Sequence, residues 1–78
     1  MLLEKLKPTE EDLQEYDPVQ LYQELSGRMT QIDYAETLGI AYWTFRLWWD
    51  SDDRSKIKLV YRRLAAKMRR EYQQRGWL

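Results

Sequence analysis

Apolar residues in this chain return at three- and four-residue steps and never alternate with polar ones over a strand's length, a pattern that serves helices and excludes a sheet. Only three Gly and two Pro interrupt the 78 residues, and they fall where helix boundaries are expected. Thr9 is placed to cap a short acidic helix with Glu10, Glu11 and Asp12 in its first turn, stopping near Tyr16. Asp17 and Pro18 open a helix over 18–26, with Gln20 at the capping-box position and Tyr16 and Leu21 spaced as a hydrophobic staple. Leu21, Tyr22 and Leu25 face inward there, and Gly27 is the stop.

Thr30 caps the next helix, with Met29 and Tyr34 as a second staple. Ile32, Ala35 and Leu38 face inward and Gly39 ends it. Another helix runs from Ala41 or Tyr42 to Trp49, followed by a polar break, Asp50-Ser51-Asp52-Asp53, rich in capping side chains. The last helix begins near Asp53 or Ser55 and reaches about Gln74, its apolar face carrying Ile57, Val60, Tyr61, Leu64, Met68 and Tyr72. At 1.5 Å per residue it would be roughly 30 Å long. The expected fold class is all-α: one domain over 1–78, a compact bundle of four or five helices with a long basic C-terminal helix at about 54–74 and residues 1–8 loosely held.

Composition narrows the chemistry. A domain of this size buries only about 60% of its unfolded surface. The chain has no Cys, hence no disulfide or thiolate metal site, and no His, the commonest general base and metal ligand. Aromatic bulk must hold it together, and four Trp, six Tyr and one Phe supply it. Self-association would bury more of that bulk. There is no phosphate-binding glycine loop and no Ser in a nucleophile setting. Asp50, Asp52 and Asp53 lack the glycine and distal Glu of a calcium loop and read as caps, and Glu10-Glu11 reads as a helix start. The expectation is a non-enzyme with no cofactor and no metal. No stretch is apolar enough to span a bilayer, and the N-terminus lacks signal-peptide features, so a cytoplasmic protein without membrane contact is expected.

A net charge of zero conceals an asymmetry. Residues 1–36 carry three basic and nine acidic side chains, whereas residues 55–78 carry eight basic and one acidic. Either one face suits a polyanion, or acidic and basic segments neutralise each other across the fold. Arg62, Arg63, Lys67, Arg69 and Arg70 are the phosphate-contact candidates, with Lys56 and Arg75 on the same basic stretch.

The segment Thr30-Gln31-Ile32-Asp33-Tyr34-Ala35-Glu36-Thr37-Leu38-Gly39-Ile40-Ala41-Tyr42-Trp43-Thr44-Phe45-Arg46-Leu47-Trp48 resembles the Cro/phage-repressor (XRE-type) helix-turn-helix. Gln31 opens the first helix of the pair, and Ala35 is small where the second helix crosses. Leu38 sits between the helices, Gly39 takes the left-handed turn, and Ile40 plugs it. Phe45 and Trp48 anchor the second helix. The resemblance covers about 20 residues closely and 17–49 loosely. It implies a small transcriptional regulator, a repressor associated with the nucleoid of a bacterium or phage host, that places its second helix in the major groove of double-stranded DNA, commonly as a homodimer. It also implies DNA-contact positions at Gln31, Ala41, Tyr42, Trp43, Arg46 and Leu47.

Those outward positions are usually polar in the family, and here Tyr42, Trp43, Leu47 and Trp49 are not. The alternative is a protein-interaction adaptor, with a partner docked through Trp43, Leu47 and Trp49, or a recombination or excision accessory factor using the same face. Trp48 is expected in the core, while Trp43 and Trp49 are divided between core and interface. Accessory factors of that kind usually continue into a β-wing, and no hairpin pattern follows Trp49.

Overall fold

The computed structural model describes residues 9–51 and 54–78. The expectations of a loose segment at 1–8 and of capping by Asp52 and Asp53 lie outside these residues. Among the described residues there are four α-helices and no strand: α1 (Pro18–Glu24), α2 (Gln31–Leu38), α3 (Tyr42–Asp50) and α4 (Leu59–Gln74). Two 3-10 turns, Glu11–Leu13 and Arg54–Lys56, precede α1 and α4. The fold is all-α.

The acidic start is shorter than its caps suggest. The Thr9 hydroxyl accepts the Asp12 N–H, and the Asp12 carboxylate accepts the Thr9 N–H, which holds that carboxyl below its usual range. One 3-10 turn results, and the chain is extended again at Gln14. The turn buries nothing, so no apolar face offsets the cost of nucleating a helix.

α1 opens as expected, with an Asp17 carboxylate oxygen accepting the Val19 N–H at 2.9 Å and Pro18 at the first position. The capping box does not close, because the Gln20 amide donates instead to the Tyr16 hydroxyl. The helix also ends earlier, at Glu24, before a turn in which Ser26 and Gly27 both have positive φ. α2 is capped by the Thr30 hydroxyl, which accepts the Asp33 N–H at 3.1 Å. Its end is a Schellman turn. Gly39 stands at φ 77°, its N–H bonds the Glu36 carbonyl, and the Ile40 N–H bonds that of Ala35, both at 3.0 Å. α3 starts two residues later.

α4 begins at Leu59 rather than at 53–55, because 54–56 tighten into a 3-10 turn and Ile57 is buried outside the helix. The Arg62 guanidinium reaches back to the carbonyls of Ile57 and Arg54 and satisfies that turn. The helix is therefore about 24 Å long. Val60, expected inward, is exposed: it lies about 140° around the helix from the wholly buried Ala65. Ile32 is likewise exposed at 53%, two residues and about 200° from Tyr34, which takes the inward place.

α4 packs along α1 and the N-terminal turn, and α2 packs on α3, with a smaller contact between α2 and α4. The core between them is aromatic. Rings of Tyr22, Tyr34, Phe45 and Trp49 meet at centroid distances of 5.1–6.1 Å, mostly edge-on or tilted. Such pairs are worth about 0.5–1.5 kcal/mol each beyond the area they bury. Tyr34 and Phe45 are wholly buried, in one core cluster with Val19, Leu21 and Leu25.

Candidate nucleic-acid interface

The surface of α3 is decided by what holds its other side. Ala35 is buried on α2, which packs on α3, Phe45 fills the core, and Trp48 packs on Tyr61 with centroids 5.4 Å apart. With one side pinned, the opposite face of the first two turns points to solvent. Trp43 is 67% exposed, Leu47 61% and Tyr42 42%, and Ala41 is exposed beside them. Trp43 and Leu47 are four residues apart and therefore neighbours on the helix surface.

Gln31 joins this face from the start of α2. Its Oε1 accepts from the Tyr42 hydroxyl at 3.3 Å and from an Arg46 guanidinium nitrogen at 3.2 Å. The other terminal nitrogen of Arg46 reaches Asp50 Oδ1 at 3.4 Å, an i,i+4 pair on a solvated surface. Individually such contacts contribute little, about 0–1 kcal/mol, but they orient the side chains. Of the six positions implied by the family resemblance, hydrogen bonds bring Gln31, Tyr42 and Arg46 together, while Ala41, Trp43 and Leu47 are exposed on the same helix or at its start. Asp50 belongs with them, and the i,i+4 spacing to Arg46 is the signal that marks it. Lys56 joins them too, lining with Leu47, Trp48 and Ser51 an open groove of about 350 Å³.

The two tryptophans left divided between core and surface separate cleanly. Trp49 is taken into the aromatic cluster against Tyr22 and Phe45, whereas Trp43 touches none of it. Trp48, expected in the core, is half-buried at its edge. An apolar surface around Trp43 therefore continues into Leu47 but not Trp49.

The basic helix turns out to be largely committed within the fold. Arg62 is spent on the 54–57 turn, and its own carbonyl accepts the Tyr16 N–H at 2.9 Å. Arg69 lies 4.6 Å over the Tyr16 ring and 3.8 Å from Glu24, with its Nε buried and lacking a hydrogen bond. Tyr16 donates to the same Glu24 carboxylate at 2.6 Å, a bond that pushes its phenol above the usual range. Arg70 donates to the Gln14 side chain and the Glu11 carbonyl. Outside the helix, Arg54 holds Asp17 at 3.0 Å. Arg75 faces the stacked rings of Tyr72 and Trp77. Of the five phosphate candidates, Arg63 and Lys67 alone among the described residues are exposed and make no hydrogen bond or ion pair. These guanidinium groups are spent mainly on backbone carbonyls, an amide and aromatic rings, and among the described residues Arg69–Glu24 is the one ion pair that joins the basic stretch to the acidic one.

Fold and site together define a small all-α domain that presents one helix face, apolar at its centre and cationic at its edge, to solvent. No family model matches this chain, and comparison with curated proteins and with solved structures finds no match. Among the described residues no helix is long and apolar enough to cross a membrane.

Proposed function

We propose that this chain is a helix-turn-helix DNA-binding module, a transcriptional repressor rather than an enzyme, that lays the first turns of α3 in the major groove of duplex DNA. The observation that carries the reading is the division of α3. Ala35, Gly39 and Phe45 lie on its inner side, while Ala41, Tyr42, Trp43 and Leu47 are exposed and the half-buried Arg46 is hydrogen-bonded to Gln31 beside them. A recognition helix needs that arrangement, because its early residues must reach base edges while the preceding helix positions it on the backbone. Gln31 keeps its amide nitrogen for a phosphate oxygen, Arg46 adds charge, and Arg63 and Lys67 add salt-dependent contacts. A homodimer on paired half-sites, in the cytoplasm on the nucleoid, is the setting that suits a module this small.

The test is a gel-shift titration at several salt concentrations on duplexes chosen from a random pool. A combined Arg46→Ala and Tyr42→Ala variant is expected to lose at least tenfold in affinity, and retention of full affinity overturns the reading.

The exposure of Trp43 and Leu47 favours one second reading, an adaptor that docks a protein on the same face. A pull-down abolished by Trp43→Ala, with no DNA affinity at low salt, decides for it. The excision-factor variant of this reading gains nothing, since no strand follows α3 among the described residues.

A further inference from the structure

The polar groups on the α3 face are already engaged with one another. Gln31 Oε1 accepts from both Tyr42 and Arg46, and Arg46 places its other terminal nitrogen on Asp50. To make the two parallel bonds that read guanine O6 and N7, the Arg46 guanidinium must first give up its contacts to both Gln31 and Asp50. What the helix presents outward is the indole of Trp43, the side chain of Leu47, the ring of Tyr42 and the methyl of Ala41. In the major groove one base carries an apolar group, the C5-methyl of thymine; the other edges are hydrogen-bond donors and acceptors. Setting an indole and a leucine against those polar edges desolvates them without replacement and is costly. Setting them against thymine methyls removes apolar area from water on both sides. At the rim, Lys56 lines the groove beside Leu47 and supplies a positive charge toward the flanking backbone, while Arg46 is balanced by Asp50.

Resting on the DNA-binding reading above, we infer that this module recognises thymine-rich duplex DNA through the C5-methyl groups, packed against Trp43 and Leu47, and not through a guanine contact by Arg46. Specificity is then apolar and steric. Arg46 acts as a positioning residue that keeps Tyr42 and Gln31 in register with the backbone.

The experiment compares a duplex selected from a random pool with the same duplex carrying deoxyuridine for thymidine, a change that deletes the methyl groups alone. Affinity is expected to fall about fourfold for each contacted methyl, the apolar transfer energy of one carbon. The double variant Trp43→Ala and Leu47→Ala, both at exposed positions and checked for intact helix by circular dichroism, is expected to bind the two duplexes equally. Tight binding by the parent protein with no difference between thymidine and deoxyuridine overturns this inference and leaves DNA binding standing. Absence of affinity for every duplex at low salt overturns the DNA reading and this inference with it.

Discussion

Tyr34 donates its hydroxyl to the backbone carbonyl of Pro18 across 2.5 Å, tying the core face of α2 to the first turn of α1. The ring is wholly buried, and burial pushes the phenol far above its ordinary value of 10.0. A raised pKa means the folded state favours the neutral form. The contribution is fully present below pH 10 and is lost as pH climbs above it, because the unfolded chain ionises first. Tyr72 is raised in the same direction, chiefly by burial. Thermal melts should therefore show stability falling above about pH 10. Tyr34→Phe should lower the neutral-pH Tm by about 4–8 °C, equivalent to about 1 kcal/mol, and flatten part of that alkaline decline. A variant with parental Tm and parental alkaline profile would show that the bond contributes nothing.

Gly39 sits at φ 77°, and a Cβ there would meet open space. The cost of Gly39→Ala is therefore all backbone conformation, about 1–2 kcal/mol, with no clash to relieve. Gly39→Asn should cost less, since Asn tolerates the left-handed region. Chemical denaturation of the three proteins checks the order, and equal stability of all three would contradict the turn geometry.

The basic helix divides into residues that hold the fold and residues open to a polyanion. Arg62→Ala strips the carbonyls of Ile57 and Arg54 of their guanidinium partner and should destabilise by about 1–3 kcal/mol. Its effect on DNA affinity, measured well below Tm, should be small. Arg63→Ala and Lys67→Ala should leave Tm within a degree or two. If they face phosphates, each should reduce the slope of log affinity against log salt by about one. The reverse pattern would reassign the helix.

Asp50 places a carboxylate on the proposed DNA face and holds Arg46 at 3.4 Å. Asp50→Asn removes the charge that repels phosphate and loosens the guanidinium. Affinity for duplex DNA should rise several-fold at low salt, with the gain shrinking as salt screens it. A fall in affinity would mean that the Arg46–Asp50 pair orders the face for binding.

Local punctuation was legible in the sequence because it acts through neighbours. Asp17, Thr30 and Gly39 do what their types dictate within three or four residues, and the α2–α3 spacing follows from them. Thr9 also acts locally, yet its helix stops after one turn, since the length of a helix depends on what its face can bury. The start of α4 was displaced from 53–55 to Leu59 by the reach of Arg62 to carbonyls outside the helix, a contact that no helical periodicity encodes. Ile32 and Val60 look like core residues by type, and they lie outside because Tyr34 and Ala65 occupy the inward angles.

The chain's own residues determined an all-helical bundle, its caps, and the left-handed bend between α2 and α3, because these rest on hydrogen bonds and backbone preferences a few positions apart. Only the assembled fold decided that Trp49 packs, half-buried, against the aromatic core while Trp43 is open, and that Arg62, Arg69 and Arg70 are occupied within the protein while Arg63 and Lys67 are exposed. Both outcomes depend on which remote segment arrives opposite each side chain, and proximity of that kind is a property of packing in three dimensions.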